Sequence, residues 1–305
     1  MSIFFSRGKL LLTSEYVVLD GALALAVPTK LGQEMSVKTL HHRESIVIWE
    51  AYHEQKLWLK AEIDYKNWKI IKSNIDESAK FILKTLQLIQ KLSVTQLQSN
   101  ASYHIKTNLQ FPAHFGLGSS STLMNNLAVW SEIDAFELNE KALGGSGYDI
   151  AVAQKKSAIL YQLKENQRTI TAVDFNPDFK NELIFVHLNQ KQDSREGISM
   201  YRQKEKTQKL IDEFSELTSA LLQTQNIDEF SYLMEIHEKK LSQFLNIPTA
   251  KEKYFSDIPV FIKSLGAWGG DFVMSRKFEG FEAYFNAKGF LSVFEWNDLI
   301  EYKPG

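Results

Sequence analysis

The sequence contains no cysteine among its 305 residues. This absence excludes disulfide bonds, a thiol nucleophile and any metal site built on cysteine, and it is compatible with a reducing cytosol. An excess of charge of one sign is also missing, because 35 basic and 37 acidic residues leave a formal net charge of −2. Such a balance offers no strong attraction to nucleic acid or to an acidic membrane surface, so we expect neither as a partner.

Long apolar runs are absent as well, since no stretch approaches the roughly 18 uninterrupted apolar residues of a membrane-spanning helix. The apolar stretch from Met1 to Leu12 is short and contains Arg7 and Lys9, which is typical of a strand and not of a signal peptide. Internal repeats and low-complexity segments are lacking too. These features, with an ordinary globular composition, predict a soluble cytoplasmic protein and leave open whether it is a monomer or a homodimer.

Helix and strand patterns alternate irregularly along the chain. A buried strand is predicted from Ala22 to Val27, ending at Pro28, and an alternating strand from Ser102 to Leu109. A helix is predicted from about Ser78 to Lys91, and helices predominate between Ser199 and Asn246. This mixed order favours an α+β protein with largely antiparallel sheets.

The length of the chain is sufficient for two domains, each with its own core. The turn at Asn176-Pro177-Asp178 is the predicted boundary between them. The sequence therefore predicts an N-terminal domain of residues 1–176 and a C-terminal domain of residues 177–305.

The most informative stretch of the sequence runs from Phe111 to Thr122 and reads FPAHFGLGSSST. Two glycines flank Leu117, four hydroxyl residues follow, and an apolar helical pattern begins at Leu123. A glycine loop that leads into a helix places backbone N–H groups and the positive end of the helix dipole together, which favours binding of phosphate. The alternative is an ordinary turn and N-cap, although four hydroxyl residues exceed what capping needs. The stretch is not a Walker loop, because no Gly-Lys-Ser or Gly-Lys-Thr follows.

Three further segments contain residue types that are suited to catalysis. Lys9 follows a glycine and can face a phosphate or a developing alkoxide, although most single lysines are simply exposed. The glycine-rich run 144–147 leads to Asp149, which either caps a helix or acts as a general base on a substrate hydroxyl. The segment from Gly266 to Asp271 is either a tight hairpin or a loop that closes over a ligand.

Three of these segments, taken in order, resemble the three motifs of the GHMP kinases. The first runs from Gly8 to Gly21 and reads GKLLLTSEYVVLDG, the second contains Pro112 and the run GLGSSS, and the third is GAWGG from Gly266 to Gly270. The run GSGYDIA, residues 145–151, is similar to a bacterial branch named for its GYDIA sequence. The superfamily includes galactokinase, homoserine kinase, mevalonate kinase and phosphomevalonate kinase.

This resemblance implies a two-domain α+β fold, with a left-handed βαβ unit in the N-terminal domain and a ferredoxin-like C-terminal domain. It also implies ATP and Mg²⁺ as cofactors and a small-molecule acceptor. Asp149 would be the catalytic base or would orient the acceptor hydroxyl, and Lys9 would stabilise the emerging alkoxide. Phosphoryl transfer depends mainly on positioning and on neutralising charge, so such residues suffice.

The resemblance also assigns binding residues. The nucleotide would be held by the glycine segments, through Pro112, Gly116, Leu117, Gly118, Ser119, Ser120, Ser121, Gly266, Gly269 and Gly270. The acceptor would lie near Glu15 and Tyr16 and near a polar segment containing Lys191, Ser194 and Arg195, for which a solvated loop is the alternative. Ser120 would bind the metal, with Glu137 as the candidate acidic ligand and Glu140 as a second possibility.

The sequence departs from the usual motifs at four places. Arg7 replaces a proline directly before the first motif, Ser14 replaces a glycine within it, and Trp268 replaces a glycine in the third motif. The spacing between Ser120 and Asp149 is short, as though a helical segment that usually carries an acidic metal ligand were missing. We therefore expect a small-molecule kinase, with mevalonate or phosphomevalonate as acceptor. The alternatives are a decarboxylase of the same superfamily and a nucleotide-binding regulatory protein without catalysis.

Overall fold

We describe the protein from a computed structural model. The residues that it describes are 1–41, 44–189, 194–266, 268 and 270–302, with residues 194–196 described by their backbone alone. Within them, no helix is both long and apolar enough to cross a membrane.

Strands and helices are mixed along the chain, as the sequence pattern predicts. They are β1 (Ser2–Leu11), β2 (Ala24–Leu40), β3 (Ile46–His53), β4 (Lys56–Asp64), β5 (Lys69–Ser73), β6 (Ser102–Leu109), β7 (Ile159–Lys164), β8 (Gln167–Ala172), β9 (Leu183–His187), β10 (Ile262–Leu265), β11 (Phe272–Arg276) and β12 (Val293–Glu295).

The helices include the long amphipathic ones that the sequence predicts. They are α1 (Asp76–Leu92), α2 (Ser119–Ser131), α3 (Ala135–Ala142), α4 (Tyr148–Lys155), α5 (Ser194–Arg202), α6 (Gln208–Leu221), α7 (Ile227–Leu245), α8 (Ala250–Tyr254), α9 (Phe281–Ala287) and α10 (Trp296–Leu299). Two short 3-10 helices span Val17–Asp20 and Asp178–Glu182.

The strands form two sheets, and antiparallel pairing dominates both. The first has eight strands in the order β5-β4-β3-β6-β2-β7-β8, with β1 paired to β2. Along this path only β3 and β6 are parallel, and the second sheet is antiparallel throughout in the order β10-β11-β9-β12. The α+β class is therefore confirmed, whereas the left-handed hand of the βαβ crossover and the ferredoxin-like domain stay predictions.

Strand β2 is longer than predicted, and the predicted end at Pro28 is wrong. The strand continues through Pro28 to Leu40. Its neighbours change near the proline, because β7 pairs with residues 24–26 and β6 with residues 33–40. Proline cannot donate to a ladder, but its carbonyl can accept. Pro28 accepts the N–H of Glu301 at 2.9 Å, so the strand passes through it.

The described residues form two compact units that are interleaved along the chain. Unit 1 contains Met1–Gly8, Leu31–Ala113 and Gly118–Gln154, and unit 2 contains Lys9–Lys30, His114–Leu117 and Lys155–Gly305. The predicted boundary at residue 176 divides the chain once and stays a prediction.

Each unit has its own apolar core. In unit 1, α1 buries Ala79, Ile82, Leu86 and Ile89, a helical spacing that gives the helix one apolar face. That face packs in a core which includes Trp49 of β3. In unit 2, the cores form around α6 and α7 and around the second sheet.

Candidate active site

The glycine loop joins β6 to α2. Gly116 and Gly118 have φ values of 71° and 88°, which glycine adopts with little strain. Gly118 is the N-cap of α2, and its carbonyl accepts the N–H of Thr122 at 3.0 Å. The N–H groups of a first helical turn point out of the end of the helix, so this end of α2 has a geometry that favours an anion.

The four hydroxyl groups after the loop divide into two pairs. Ser121 donates to the carbonyl of Gly118 at 3.0 Å, and Thr122 donates to the carbonyl of Ser119 at 2.9 Å. Both of these side chains are buried, whereas Ser119 is half-buried and Ser120 is exposed. The buried pair builds the helix start, and the exposed hydroxyl of Ser120 is accessible to a ligand.

A buried polar ladder that we did not predict holds α2 against the strands of unit 1. Asn125 donates to Ser6 Oγ, and Ser6 donates to Asn126 Oδ1, both at 2.8 Å. Asn126 donates to the carbonyl of Gln33 at 2.9 Å, and Thr122 donates to the side chain of Gln33 at 3.0 Å. Two asparagines inside an apolar helical run were the signal in the sequence, because buried polar groups need partners.

Within unit 2, Lys9 contacts the glycine loop at two positions. Its Nζ donates to the carbonyl of Gly116 at 2.9 Å, and its backbone N–H donates to the carbonyl of Leu117 at 3.0 Å. Only 8% of the residue is exposed. Lysine is rarely buried without a partner, so this ammonium is a built part of the loop and not a solvated surface charge.

The carboxylate of Asp271 lies between two of the predicted glycine segments. A Cβ atom at Gly116 would lie 2.3 Å from this carboxylate, and one at Gly266 would lie 2.9 Å from its Oδ2 atom. Any other residue at Gly116 would therefore overlap with Asp271, in addition to the strain of its positive φ. The sequence predicts no role for Asp271, yet this residue packs against both loops.

The turn that carries Glu15 and Tyr16 has unusual backbone geometry. Ser14 and Tyr16 have φ values of 61° and 64°, in the left-handed region that glycine adopts most easily. Ser14 is held there by its N–H, which donates to His237 Nε2 at 2.7 Å, and by its hydroxyl, which donates to the carbonyl of Leu23 at 2.7 Å. These bonds account for a serine at a position where the resemblance predicts glycine.

Glu15 is fully buried and forms an ion pair with Lys263. Both side chains are 0% exposed, and Lys263 Nζ lies 2.5 Å from Glu15 Oε1. Burial raises the pKa of Glu15 to about 7, because it outweighs the opposing effect of Lys263. The predicted contact of Glu15 with an acceptor stays a prediction, since its carboxylate lies in the interior of unit 2.

Glu238 of α7 is a second buried carboxylate next to the same lysine. It accepts the hydroxyl of Ser264 at 2.7 Å, the N–H of Ser264 at 3.1 Å and the indole N–H of Trp268 at 3.1 Å. Lys263 Nζ lies 3.6 Å from its Oε2 atom and also donates to the carbonyl of Ser264. Nothing in the local sequence signalled this network, because its members are far apart along the chain.

The side chain of Trp268 packs in the core of unit 2. The residue is 5% exposed, and its backbone N–H donates to the Tyr16 hydroxyl at 3.1 Å. The Tyr16 ring in turn stacks on Tyr201 with centroids 5.9 Å apart, and a Cβ at Gly197 would lie 2.2 Å from the Tyr16 hydroxyl. The indole that replaces a glycine is therefore accommodated inside the protein.

Asp149 lies in the first turn of α4, in unit 1. The preceding Gly144, Gly145 and Gly147 have φ values of 77°, 94° and 86°, so the glycines serve a backbone that other residues rarely adopt. Asp149 is half-buried, and its Oδ1 accepts the N–H of Ile150 at 3.0 Å. A carboxylate is favourable at this end of a helix, so both interpretations of Asp149 remain.

The predicted metal ligands fit unequally. Mg²⁺ usually takes one or two protein oxygens together with phosphates and waters, and the exposed hydroxyl of Ser120 fits that requirement. Glu137 is an exposed residue of α3 that lies 3.6 Å from Lys141, and it would have to leave this ion pair to bind a metal. The part of the chain that the structure describes holds no cluster of three His, Asp or Glu side chains suited to a metal.

The remaining predicted residues are placed as follows. Pro112 is half-buried in the glycine loop, and Gly270 is buried. Ser194 and Arg195 begin α5, but their side chains lie outside the described part of the structure. Lys191 and Gly269 also lie outside the described residues.

Several solved structures resemble the chain over its full length. The alignment with the Methanococcus jannaschii mevalonate kinase covers 99% of this chain and 98% of that protein, with 16% identity and a TM-score of 0.69. The Streptococcus pneumoniae phosphomevalonate kinase, solved with phosphomevalonate and AMPPNP, gives 97% and 100% coverage, 16% identity and a TM-score of 0.69. The Lactococcus lactis galactokinase, solved with galactose, gives 99% and 94% coverage, 14% identity and a TM-score of 0.68.

These three proteins are GHMP kinases, so the chain has the GHMP kinase fold that the motifs predict. No protein-family model and no curated protein matches the sequence. Similarity at this level of identity describes the fold, and function has to be argued from the residues.

Proposed function

We propose that the protein is an ATP-dependent kinase that transfers the terminal phosphoryl group of ATP to a hydroxyl of a small molecule. The observation that carries this proposal is the buried contact of Lys9 with the carbonyl of Gly116, at 2.9 Å. It supports the proposal because it puts a cation on the glycine loop of a chain with the full-length fold of known kinases.

Each predicted group has a task in this reaction. The glycine loop and the first turn of α2 would hold the phosphates through backbone N–H groups. Lys9 would neutralise charge that develops on the transferred group and on the acceptor oxygen. Asp149 would accept the proton of the acceptor hydroxyl or hold that hydroxyl in line for attack.

Magnesium would neutralise charge on the phosphates when it is bound. We propose the hydroxyl of Ser120 as its ligand from the protein. Glu137 remains the candidate acidic ligand, and a variant in which it is replaced by glutamine tests it. Mg²⁺ affinity in the presence of AMPPNP should fall if Glu137 is a ligand and should not change if it only pairs with Lys141.

For the acceptor, we propose mevalonate first and phosphomevalonate second. The solved kinases that the chain resembles include enzymes named for both, and galactokinase resembles it to a similar degree. The proposed acceptor-binding residues are Glu15 and Tyr16 together with Lys191, Ser194 and Arg195. A basic residue in that segment would suit the carboxylate or phosphate of either acceptor.

The regulatory alternative rests on Trp268 and on the short spacing between Ser120 and Asp149, and the burial of Trp268 weakens the first of these supports. A nucleotide-binding protein without catalysis would need neither a buried lysine on the loop nor a carboxylate at the start of α4. The decarboxylase alternative has no observation in its favour beyond a fold likeness to the Streptococcus pyogenes mevalonate pyrophosphate decarboxylase.

The test is the release of ADP from Mg·ATP by the purified protein with mevalonate, phosphomevalonate, homoserine or galactose. We expect turnover with mevalonate, and turnover with another acceptor would correct the substrate and keep the kinase. Release of CO₂ from mevalonate diphosphate would favour the decarboxylase. Binding of ATP without turnover on any acceptor would favour the regulatory protein.

A further inference from the structure

Ser14 and Trp268 of unit 2 donate hydrogen bonds to two consecutive residues of α7, His237 and Glu238. Ser14 has a left-handed φ of 61°, and its N–H donates to Nε2 of His237 at 2.7 Å. Trp268 follows Gly266 closely in sequence, and its indole N–H donates to Oε2 of Glu238 at 3.1 Å. His237 and Glu238 are 0% and 2% exposed, so both anchors lie in the interior of unit 2.

The two anchors differ chemically and suit their partners. Burial holds the pKa of His237 well below its usual range, so its ring is neutral. Its Nε2 atom accepts a hydrogen bond from Ser14, which places the ring proton on Nδ1. Glu238 is an acceptor for three hydrogen bonds, from Ser264 and Trp268, and lies 3.6 Å from the ammonium of Lys263.

The anchors also connect the turn at Ser14 to the segment at Trp268. Lys263 forms ion pairs with Glu238 and with Glu15, and Glu15 directly follows Ser14. The hydroxyl of Tyr16 adds a second connection, because it accepts the backbone N–H of Trp268 at 3.1 Å. This buried polar network links the two segments, although Oε2 of Glu15 and Nδ1 of His237 have no hydrogen-bond partner among the described residues.

The segment at Trp268 in turn reaches the glycine loop. Asp271 lies three positions beyond Trp268, and its carboxylate fills the space beside Gly116 and Gly266. Gly116 is also the residue whose carbonyl binds Lys9. Trp268 and Asp271 thus belong to one short segment of the chain, and Asp271 packs against the glycine loop.

We propose that the pair His237–Glu238 positions the phosphate-binding loop of the kinase. Glu238 acts through the segment of Trp268 and Asp271, and His237 holds the turn at Ser14, which Lys263 and Tyr16 connect to that segment. This inference rests on the proposed function and assigns roles to residues outside the three motifs. Neither residue touches ATP or the acceptor in this account, so both are positioning residues. A network that only stabilised the core would affect unfolding and leave nucleotide affinity unchanged.

Trp268→Phe tests this proposal with a matched control in Trp49→Phe. Both tryptophans are buried, at 5% and 1% exposure, but only Trp268 uses its indole N–H. The Nε1 atom of Trp49 has no hydrogen-bond partner among the described residues. The two substitutions thus remove the same atoms, and only one of them removes a hydrogen bond to Glu238.

The measurements are the Kd of Mg·AMPPNP by calorimetry and the KM for ATP and kcat of the turnover reaction. We expect Trp268→Phe to raise the Kd and the KM for ATP by up to about tenfold, which is the limit reached when the full energy of one hydrogen bond to a charged group is needed to restore the loop. The kcat and the KM for the acceptor should change much less, and Trp49→Phe should match the wild type in all four quantities. Melting temperatures of both variants check that each is folded.

Glu238→Gln provides a second variant that does not depend on the ring. Its effect on the Kd should add only in part to that of Trp268→Phe in the double variant, because both change the bond between Trp268 and Glu238, whereas Glu238→Gln also alters the contacts with Ser264 and Lys263. Hydrogen exchange of the amides of Ser14 and Trp268 should be faster in both single variants and unchanged in Trp49→Phe.

The outcomes separate this inference from the proposed function. If the wild type binds Mg·AMPPNP and Trp268→Phe binds it equally well, the positioning role is overturned and the kinase stands. Fully additive effects in the double variant would also overturn it. If the wild type binds no Mg·AMPPNP, the proposed kinase fails, and the role of the pair at a nucleotide site fails with it.

Discussion

Two buried carboxylates, one in each unit, have pKa values shifted in opposite directions, although a lysine contacts each of them. Glu50 on β3 accepts from Lys60 at 2.9 Å and lies within 3.3 Å of His104 and Lys106. The hydrogen bond from Lys60, with those from the other two groups, lowers the pKa of Glu50 to about 2. Glu15 in unit 2 has its pKa raised to about 7 instead.

The difference comes from solvent and from the balance of charge. The lysines around Glu50 are about half-exposed, so their charges stay hydrated while they surround one carboxylate. Glu15 and Lys263 are fully buried, and Lys263 is shared with the second carboxylate of Glu238. Burial penalises the charged form of Glu15 more than one shared cation favours it. The charges around Glu50 therefore stay in contact with solvent, whereas burial brings the pKa of Glu15 in unit 2 near neutral pH.

Removing the lysine from each cluster should give the largest difference between them. Lys263→Met leaves two buried carboxylates without a cation and should lower the free energy of unfolding by about 3–5 kcal/mol. Lys60→Met removes an exposed lysine from a carboxylate that keeps His104 and Lys106, so its effect on urea unfolding should be small. Equal effects would show that burial does not separate the two clusters.

The pH dependence of stability should differ in sign between the clusters. The pKa of Glu15 is about 7 in the folded protein, above its ordinary value of 4.5, so the folded state holds its proton more tightly. Its contribution to stability is complete below pH 4.5 and is lost as the pH rises to 7, by up to about 3 kcal/mol. Glu50, with a lowered pKa, contributes above pH 4.5 and loses this contribution as the pH falls toward 2.

Urea unfolding of Glu15→Gln and Glu50→Gln across this pH range checks the signs. Glu15→Gln should lose less stability than the wild type between pH 5 and pH 8. The ionisable side chains that lie beside Glu15 are Lys263, Glu238 and His237, and His237 is neutral. Glu50→Gln should reduce the loss of unfolding free energy as the pH falls toward 2, and it should not change the pH dependence of stability above neutral pH. A wild-type slope that Glu15→Gln leaves intact would contradict the raised pKa.

The local patterns in the sequence predicted much of the fold, because they depend on short-range order. The strand from Ser102 to Leu109 has the predicted bounds, and the amphipathic helix near residues 78–91 extends only slightly further. Pro28 was misleading, since its effect depends on which strands pair on either side of it. Strand pairing is a long-range property that a single sequence does not display.

The candidate site likewise combines residues that lie in short sequence motifs with residues that only the fold brings together. Lys9 and the glycine loop stand out in the sequence because their residue types are distinctive and lie in short motifs, and their roles stay predictions. Lys263, Glu238 and His237 do not stand out, because they are separated from Glu15 by more than 200 positions and stand in ordinary helix and strand patterns. Only the folded chain brings these charges together.

The smallest predicted effect concerns the strained turn in unit 2. Ser14→Ala keeps the left-handed φ and loses the hydroxyl bond to Leu23, so it should destabilise the protein. Ser14→Gly loses the same bond but relieves the strain, so it should be about 1 kcal/mol more stable than Ser14→Ala. Ser45 of unit 1, with a φ of 60°, offers a matching alanine and glycine pair as control. A Ser14→Gly variant no more stable than Ser14→Ala would refute the strain at this turn.

The most direct test of the kinase itself is the Asp149→Asn variant. Its turnover of Mg·ATP with the accepted substrate should fall at least about a hundredfold, because a positioned base contributes that much or more. Its affinity for Mg·AMPPNP, measured by calorimetry, should stay close to that of the wild type. Unchanged turnover would contradict the account, because it would leave the proposed transfer without its base.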